Sequence, residues 1–119
     1  MSEPAITYHL TPLEVWTAQA GCAFYEPEAF AREGFIHCTD GEERVIEVGN
    51  RYYTTDPRPF CLLSLARSKL TARVVYDDPE RVFPHLYGRL NTDAVVDVRR
   101  VIRDDGGSFT GIGDSVPGM

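Results

Sequence analysis

Residues 6–21 read Ile6-Thr7-Tyr8-His9-Leu10-Thr11-Pro12-Leu13-Glu14-Val15-Trp16-Thr17-Ala18-Gln19-Ala20-Gly21, and in them a strand hands over to a helix. Ile6 to Leu10 carries β-branched and aromatic side chains and reads as a short first strand. Thr11, Pro12 and Glu14 then spell a helix start: a threonine cap, a proline at the first helical position and a glutamate three residues after the cap. Leu13, Trp16, Thr17 and Ala20 fall on one helical face, and Gly21 is the expected stop.

The same grammar returns further on. Pro27 to Glu33 reads as a short helix ended by Gly34, and Phe35 to Cys38 as a four-residue strand. Thr39-Asp40-Gly41-Glu42 repeats the cap, and the helix after it carries Val45, Val48, Gly49 and Tyr52 at i, i+3, i+4, i+7. Beyond the turn Thr55–Pro59, Phe60 to Leu65, Ala72 to Tyr76 and Ala94 to Ile102 read as strands, with a further turn at Asp77–Glu80. Helices gathered in the first half and strands in the second give an α+β class. Residues 1–103 are expected to form one domain, and the Gly/Ser/Asp-rich residues 104–119 a flexible tail.

With 119 residues, 43% hydrophobic and 25% charged side chains, the chain is long enough for one domain with a real core. A net charge of −6 argues against a protein that coats phosphate backbones, so no bulk nucleic-acid binding is expected. Lys69 is the only lysine among the twelve cationic side chains. Genome composition explains that bias, and a need for arginine forks on phosphate or carboxylate ligands is the functional alternative. Cys22, Cys38 and Cys61 show no CxxC spacing, and the N-terminus has no signal-peptide pattern; a cytoplasmic location is expected. No apolar stretch approaches the roughly 20 residues needed to span a bilayer, so no membrane is expected either.

The three histidines all stand at expected element boundaries: His9 in Tyr8-His9-Leu10-Thr11, His37 in Gly34-Phe35-Ile36-His37-Cys38-Thr39, and His85 in Phe83-Pro84-His85-Leu86-Tyr87-Gly88. The first two share H-x-T-x-x-E, with a strand delivering a histidine just before a capped helix. A helix N-terminus favours an anionic or oxygen-rich ligand and keeps a neighbouring imidazole neutral. Two such places side by side suit a sugar or nucleotide. Bracing of the sheet by satisfied structural histidines is the competing account. A zinc site drawing on the three histidines has no HxH or HExxH spacing behind it, and no metal is assigned. Cys38 cannot form a nucleophile dyad with His37, because adjacent strand residues point to opposite faces, and it is expected in the core. Asp77, Asp78 and Glu80 are carboxylates in a turn beside Pro79, where solvated acids are ordinary.

These three blocks, in this order and spacing, resemble the signature of the bacterial family called domain of unknown function 952, over Ile6 to Ile102. The resemblance implies a fold similar to the ADP-ribosyltransferases, a split α+β sheet that clamps NAD. On that likeness His9 and Thr11 belong to the ligand pocket, with His9 orienting a ribose. Phe35, His37 and Thr39 face the nicotinamide side, and His85 and Tyr87 close the pocket. His37 and His85 are the implied general acid and base, and Arg89 an added phosphate contact. Many such enzymes carry a glutamate on the third strand; Glu80 and Asp97 are the candidates here, and neither is a convincing equivalent. The implied ligand is a small-molecule nucleotide or sugar phosphate. No cofactor is fixed by the sequence, and NAD enters as ligand or substrate of a glycosidic or phosphate transfer. A non-catalytic ligand-binding module and a structural or dimerising domain stand as alternatives, and the oligomeric state is open.

Overall fold

The computed structural model describes residues 3–117; the outermost residues of the expected domain and tail lie outside them. In chain order the elements are β1 Ile6–Pro12, α1 Leu13–Thr17, β2 Phe24–Tyr25, α2 Phe30–Glu33, β3 Ile36–His37 and α3 Glu42–Tyr52. Then follow β4 Phe60–Ala66, β5 Arg73–Tyr76, β6 Pro84–Tyr87, β7 Leu90–Asn91, β8 Val95–Arg103 and β9 Phe109–Ser115. All three α-helices precede residue 53, and every pairing is antiparallel, so the α+β class holds.

The sheets are β1-β4-β8-β9, β3-β6-β5 and the small pair β2-β7. Phe60-Cys61-Leu62-Leu63-Ser64-Leu65 is an almost unbroken apolar run, and in β4 all six side chains are buried. Such a run has to be covered on both faces, which places it inside a sheet. Cys61, Leu63 and Leu65 pack with Trp16, Tyr25, Ile36, Leu86, Leu90 and Val98, under the smaller sheets. Phe60 and Leu62 pack the other way, with Leu10, Val45 and Phe109, under α3. The two larger sheets are joined where Tyr8 and Thr39 exchange backbone hydrogen bonds of 2.9 and 2.8 Å.

Three expectations are corrected. Neither threonine caps a helix: α1 starts at Leu13 after Pro12, α3 starts at Glu42 after Gly41, and no side-chain cap forms at either. The physical reason is that tertiary pairing engages each threonine with another strand. The Thr11 hydroxyl is taken by Tyr25 at 2.8 Å, and the Thr39 backbone is spent on Tyr8. The first N–H of α1, on Leu13, instead reaches the carbonyl of Pro59 at 2.9 Å. Tyr52, expected on the buried face of α3, is 64% exposed, and Ile46 and Tyr53 pack there instead. The expected flexible tail contains β9, which pairs with β8 and buries Phe109 between Phe60 and α3. Glycine-rich composition hid a strand that Phe109, with Ile112 beside it, anchors to the core.

Gly49 shows how closely that anchor is fitted. A Cβ there would lie 2.6 Å from Cγ of Phe109. Helix propensity alone would make Gly49→Ala stabilising by about 1 kcal/mol. We expect the reverse, a net loss of about 1–2 kcal/mol from overpacking and a melting point several degrees lower. A thermal melt that stays level or rises would show that Phe109 yields freely.

Candidate functional site

A cleft of about 710 Å³ opens between the segment around α2 and one face of α3. The ends of β1 and β3 form its floor, the turn before Phe60 closes one side and the loop from Glu80 to His85 the other. His9, Thr11, His37, Thr39 and His85 all line it. Phe35, Tyr87 and Arg89 do not. The guanidinium of Arg89 sits 4.3 Å from the ring centre of Phe24, on β2, so its use as a phosphate contact in this cleft is not available.

His9 is buried, 5% exposed, and both ring nitrogens are engaged. Nδ1 lies 2.7 Å from the carbonyl oxygen of His37 and Nε2 lies 3.0 Å from the hydroxyl of Tyr25. A carbonyl only accepts, so the proton of a neutral His9 is on Nδ1 and Nε2 accepts from Tyr25. The Tyr25 oxygen, 2.8 Å from Thr11 Oγ1, then accepts from the threonine. Burial pushes the His9 imidazole down to about 4, against a smaller upward pull from the His37 carbonyl. His9 and Thr11 are thus spent on one another through Tyr25, and the ring that the likeness assigned to a ribose holds the backbone of His37.

His37 and His85 stand directly opposite one another on β3 and β6, with ring centres 5.1 Å apart. Each is backed by a carboxylate. Nε2 of His37 lies 3.1 Å from Glu33 at the end of α2, and Nδ1 of His85 lies 2.9 Å from Asp77 after β5. Those bonds fix the tautomers, leaving Nδ1 of His37 and Nε2 of His85 without a protein partner among the described residues. Phe35 stacks on His85 with ring centres 4.2 Å apart and planes within 18°. Asp77 also accepts from the Tyr87 hydroxyl at 2.5 Å, and these two bonds hold its carboxyl below the usual range. The turn acid that looked merely solvated orients two rings. Thr39 lines the cleft, and its hydroxyl makes no hydrogen bond among the described residues.

Sequence reasoning missed the arginines. Arg32, Arg44, Arg51 and Arg58 all line the cleft. Arg44, Glu47, Val48 and Arg51 recur at i, i+3, i+4, i+7, so a second helical stripe was readable beside the apolar one. Arg58 is neutralised: it reaches Asp56 at 2.8 Å and Glu28 at 2.9 Å. Arg32 and Arg51 are exposed and carry no ion pair among the described residues. Of the two candidate acids, Glu80 lines the cleft and Asp97 does not; its Oδ1 accepts from the Val98 N–H and the Ser115 hydroxyl. Cys38 is in the core as expected, 4% exposed, with burial pushing its thiol up to about 12. Among the described residues no group of three or more His, Cys, Asp or Glu is placed to hold a metal, and no helix is long and apolar enough to cross a membrane.

Two outcomes follow from burial. The His9 pKa is depressed in the fold, from 6.5 to about 4, so between those values the unfolded chain binds a proton that the folded chain refuses. The stability His9 provides is complete above pH 6.5 and is lost as pH falls toward 4, by about 3 kcal/mol over the window. Denaturant melts across that range should show this slope, and His9→Gln should flatten it; an equal slope in the variant would assign it elsewhere. At pH 8 a thiol reagent should modify only Cys22 in the folded protein, since Cys38 and Cys61 are buried with thiols near 12. Rapid modification of a second thiol would contradict that burial.

The match with a family model described as "Protein of unknown function (DUF952)" covers residues 10–98. Among solved structures the chain is similar to the crystal structure of protein CC0527 from Caulobacter crescentus, at 20% identity and a TM-score of 0.73, covering 88% of this chain and 93% of that one. The solution structure of the same protein gives 20% identity and a TM-score of 0.67, over 87% of this chain and 90% of that one. At that identity the likeness carries the fold alone. No curated protein matches the chain. The family match covers most of the chain and includes the His37 and His85 blocks: this chain belongs to the DUF952 family of proteins of unknown function.

Proposed function

We propose that the cleft binds the ribose-phosphate part of a nucleotide of the NAD or ADP-ribose kind, and that His37 and His85 serve there as general acid and base in glycosidic or phosphate transfer. The observation that carries this reading is the pair itself: two imidazoles 5.1 Å apart at a cleft, each with one nitrogen held by a carboxylate and the other free. In a phosphate transfer one imidazole takes the proton of the attacking hydroxyl or water and the other protonates the departing oxygen. With NAD the nicotinamide leaves as a neutral base, and only the first of these roles is needed. Arg32 and Arg51 are the unpaired cations for the phosphates, and the Thr39 hydroxyl is free for a ribose hydroxyl. The join of the two larger sheets at Tyr8 and Thr39, beside the cleft, is consistent with an ADP-ribosyltransferase-like split sheet. His9 acts in this reading as a positioning residue, through the His37 carbonyl.

A binding module without turnover is the second reading, favoured by Asp97 lying outside the cleft where a strand acid would be wanted. Thermal melts with NAD, ADP-ribose, 2′-phosphorylated nucleotides and ribose 5-phosphate test the site. A ligand at 100 times its dissociation constant adds about 2.7 kcal/mol, a shift of order ten degrees for a domain of this size. We expect such a shift with an anionic nucleotide, reduced by Arg51→Ala. In an assay of nicotinamide or phosphate release, His37→Ala should lose about 100-fold or more while still binding. Binding with no release over hours would favour the module. No shift with any of these ligands at millimolar concentration would end the nucleotide reading.

A further inference from the structure

Register assigns the faces of the β3-β6-β5 sheet. Ile36, Leu86 and Val74 are mutually opposed and turn into the core. The other face therefore carries His37, His85 and Val75 in one cross-strand row, and Tyr87 opposite Arg73 in the next. This face is open to solvent along one side: Tyr87 is 39% exposed, and His37 and Arg73 are exposed as well, while Val75 and His85 are half-buried. A solvated sheet face is ordinarily polar. Here it is a row of rings, since Phe35 stacks on His85 and lies 5.5 Å from the ring of Tyr87.

The rings are also held still. Asp77 accepts from both Tyr87 and His85, and the Arg73 guanidinium lies 5.8 Å from the centre of the Tyr87 ring. A braced, exposed tyrosine beside an arginine, with the half-buried rings of Phe35 and His85 next to it, is the kind of arrangement on which nucleic-acid bases stack in single-strand binding proteins. The face is continuous with the cleft, because His37 and His85 belong to both.

We infer that the Phe35–His85–Tyr87 face, with Arg73 at its rim, is a stacking platform for the nucleobase of the ligand whose ribose-phosphate enters the cleft. The inference rests on the nucleotide reading of the cleft and narrows it. The site takes a nucleotide with its base outside the cleft, on the sheet, and a base-free sugar phosphate uses only half of it.

Calorimetric titrations with adenosine, AMP and ribose 5-phosphate separate the two halves. For the protein as it stands, AMP should bind more tightly than either fragment. Tyr87→Ala should weaken AMP and adenosine by about 5- to 100-fold and leave ribose 5-phosphate unchanged. Tyr87→Phe keeps the ring and should retain most of the AMP affinity, which guards against a merely misfolded alanine variant. Adenosine binding that needs Tyr87, with no ribose 5-phosphate binding, would uphold the platform while the cleft reading fails. The platform is overturned if Tyr87→Ala changes none of the three, if it weakens ribose 5-phosphate as much as AMP, or if no base-bearing probe binds at all.

Discussion

The hydrogen bond from Nδ1 of buried His9 to the carbonyl of His37 is the constraint on which the site depends. It spans 28 residues and ties β1, the edge of the large sheet, to β3, the edge of the small one. Beside it the Tyr8–Thr39 bridge adds two backbone bonds. Together these let strands of only two and seven residues behave as one surface at their junction. The His37 carbonyl left without a partner in this place would cost about 1–3 kcal/mol, so the imidazole is held by what its absence would expose.

Once β3 is fixed, the rest of the site follows by register. His37 is set opposite His85, and His85 opposite Val75. Two residues past Val75 the chain arrives at Asp77, where its carboxylate meets His85 and Tyr87 together. On the other side α2 buries none of its own residues, and its last residue, Glu33, reaches His37. Each histidine thus receives its carboxylate from a different neighbouring segment. The cleft between α2 and α3 is lined by both signs of charge, and Arg58 is consumed by Asp56 and Glu28, so the net acidity of the chain says little about the potential near Arg32 and Arg51.

Much of this was legible. The apolar run 60–65, the strand at 36–37, the stop at Gly34 and the core position of Cys38 all follow from pattern and alternation. The three histidines were readable as a group because each was expected at a boundary between elements, but only His37 ends its strand; His9 lies inside β1, which runs on to Pro12, and His85 inside β6. The caps misled because Thr11 and Thr39 have the right neighbours for a helix start, while the hydroxyl of one and the backbone of the other are wanted by residues 14 and 31 positions away. β9 was missed because its glycines read as disorder, whereas pairing with β8 and the seat of Phe109 against Phe60 keep it in the sheet. Asp77 was dismissed as solvated since no local rule connects it to position 85 or 87.

By itself the sequence determined the class of fold, the apolar strand at 60–65 and the residues from which a site could be made. Those are matters of local chemistry: side-chain alternation, apolar length, turn residues and the placing of titratable groups. Only the tertiary structure decided the division of labour among the histidines. His9, His37 and His85 look alike along the chain, yet one is enclosed and kept neutral while two face the cleft with a nitrogen free. That difference is set by which strand pairs with which and by what covers each face, and hydrogen bonding and desolvation between distant segments cannot be written into any single stretch of sequence.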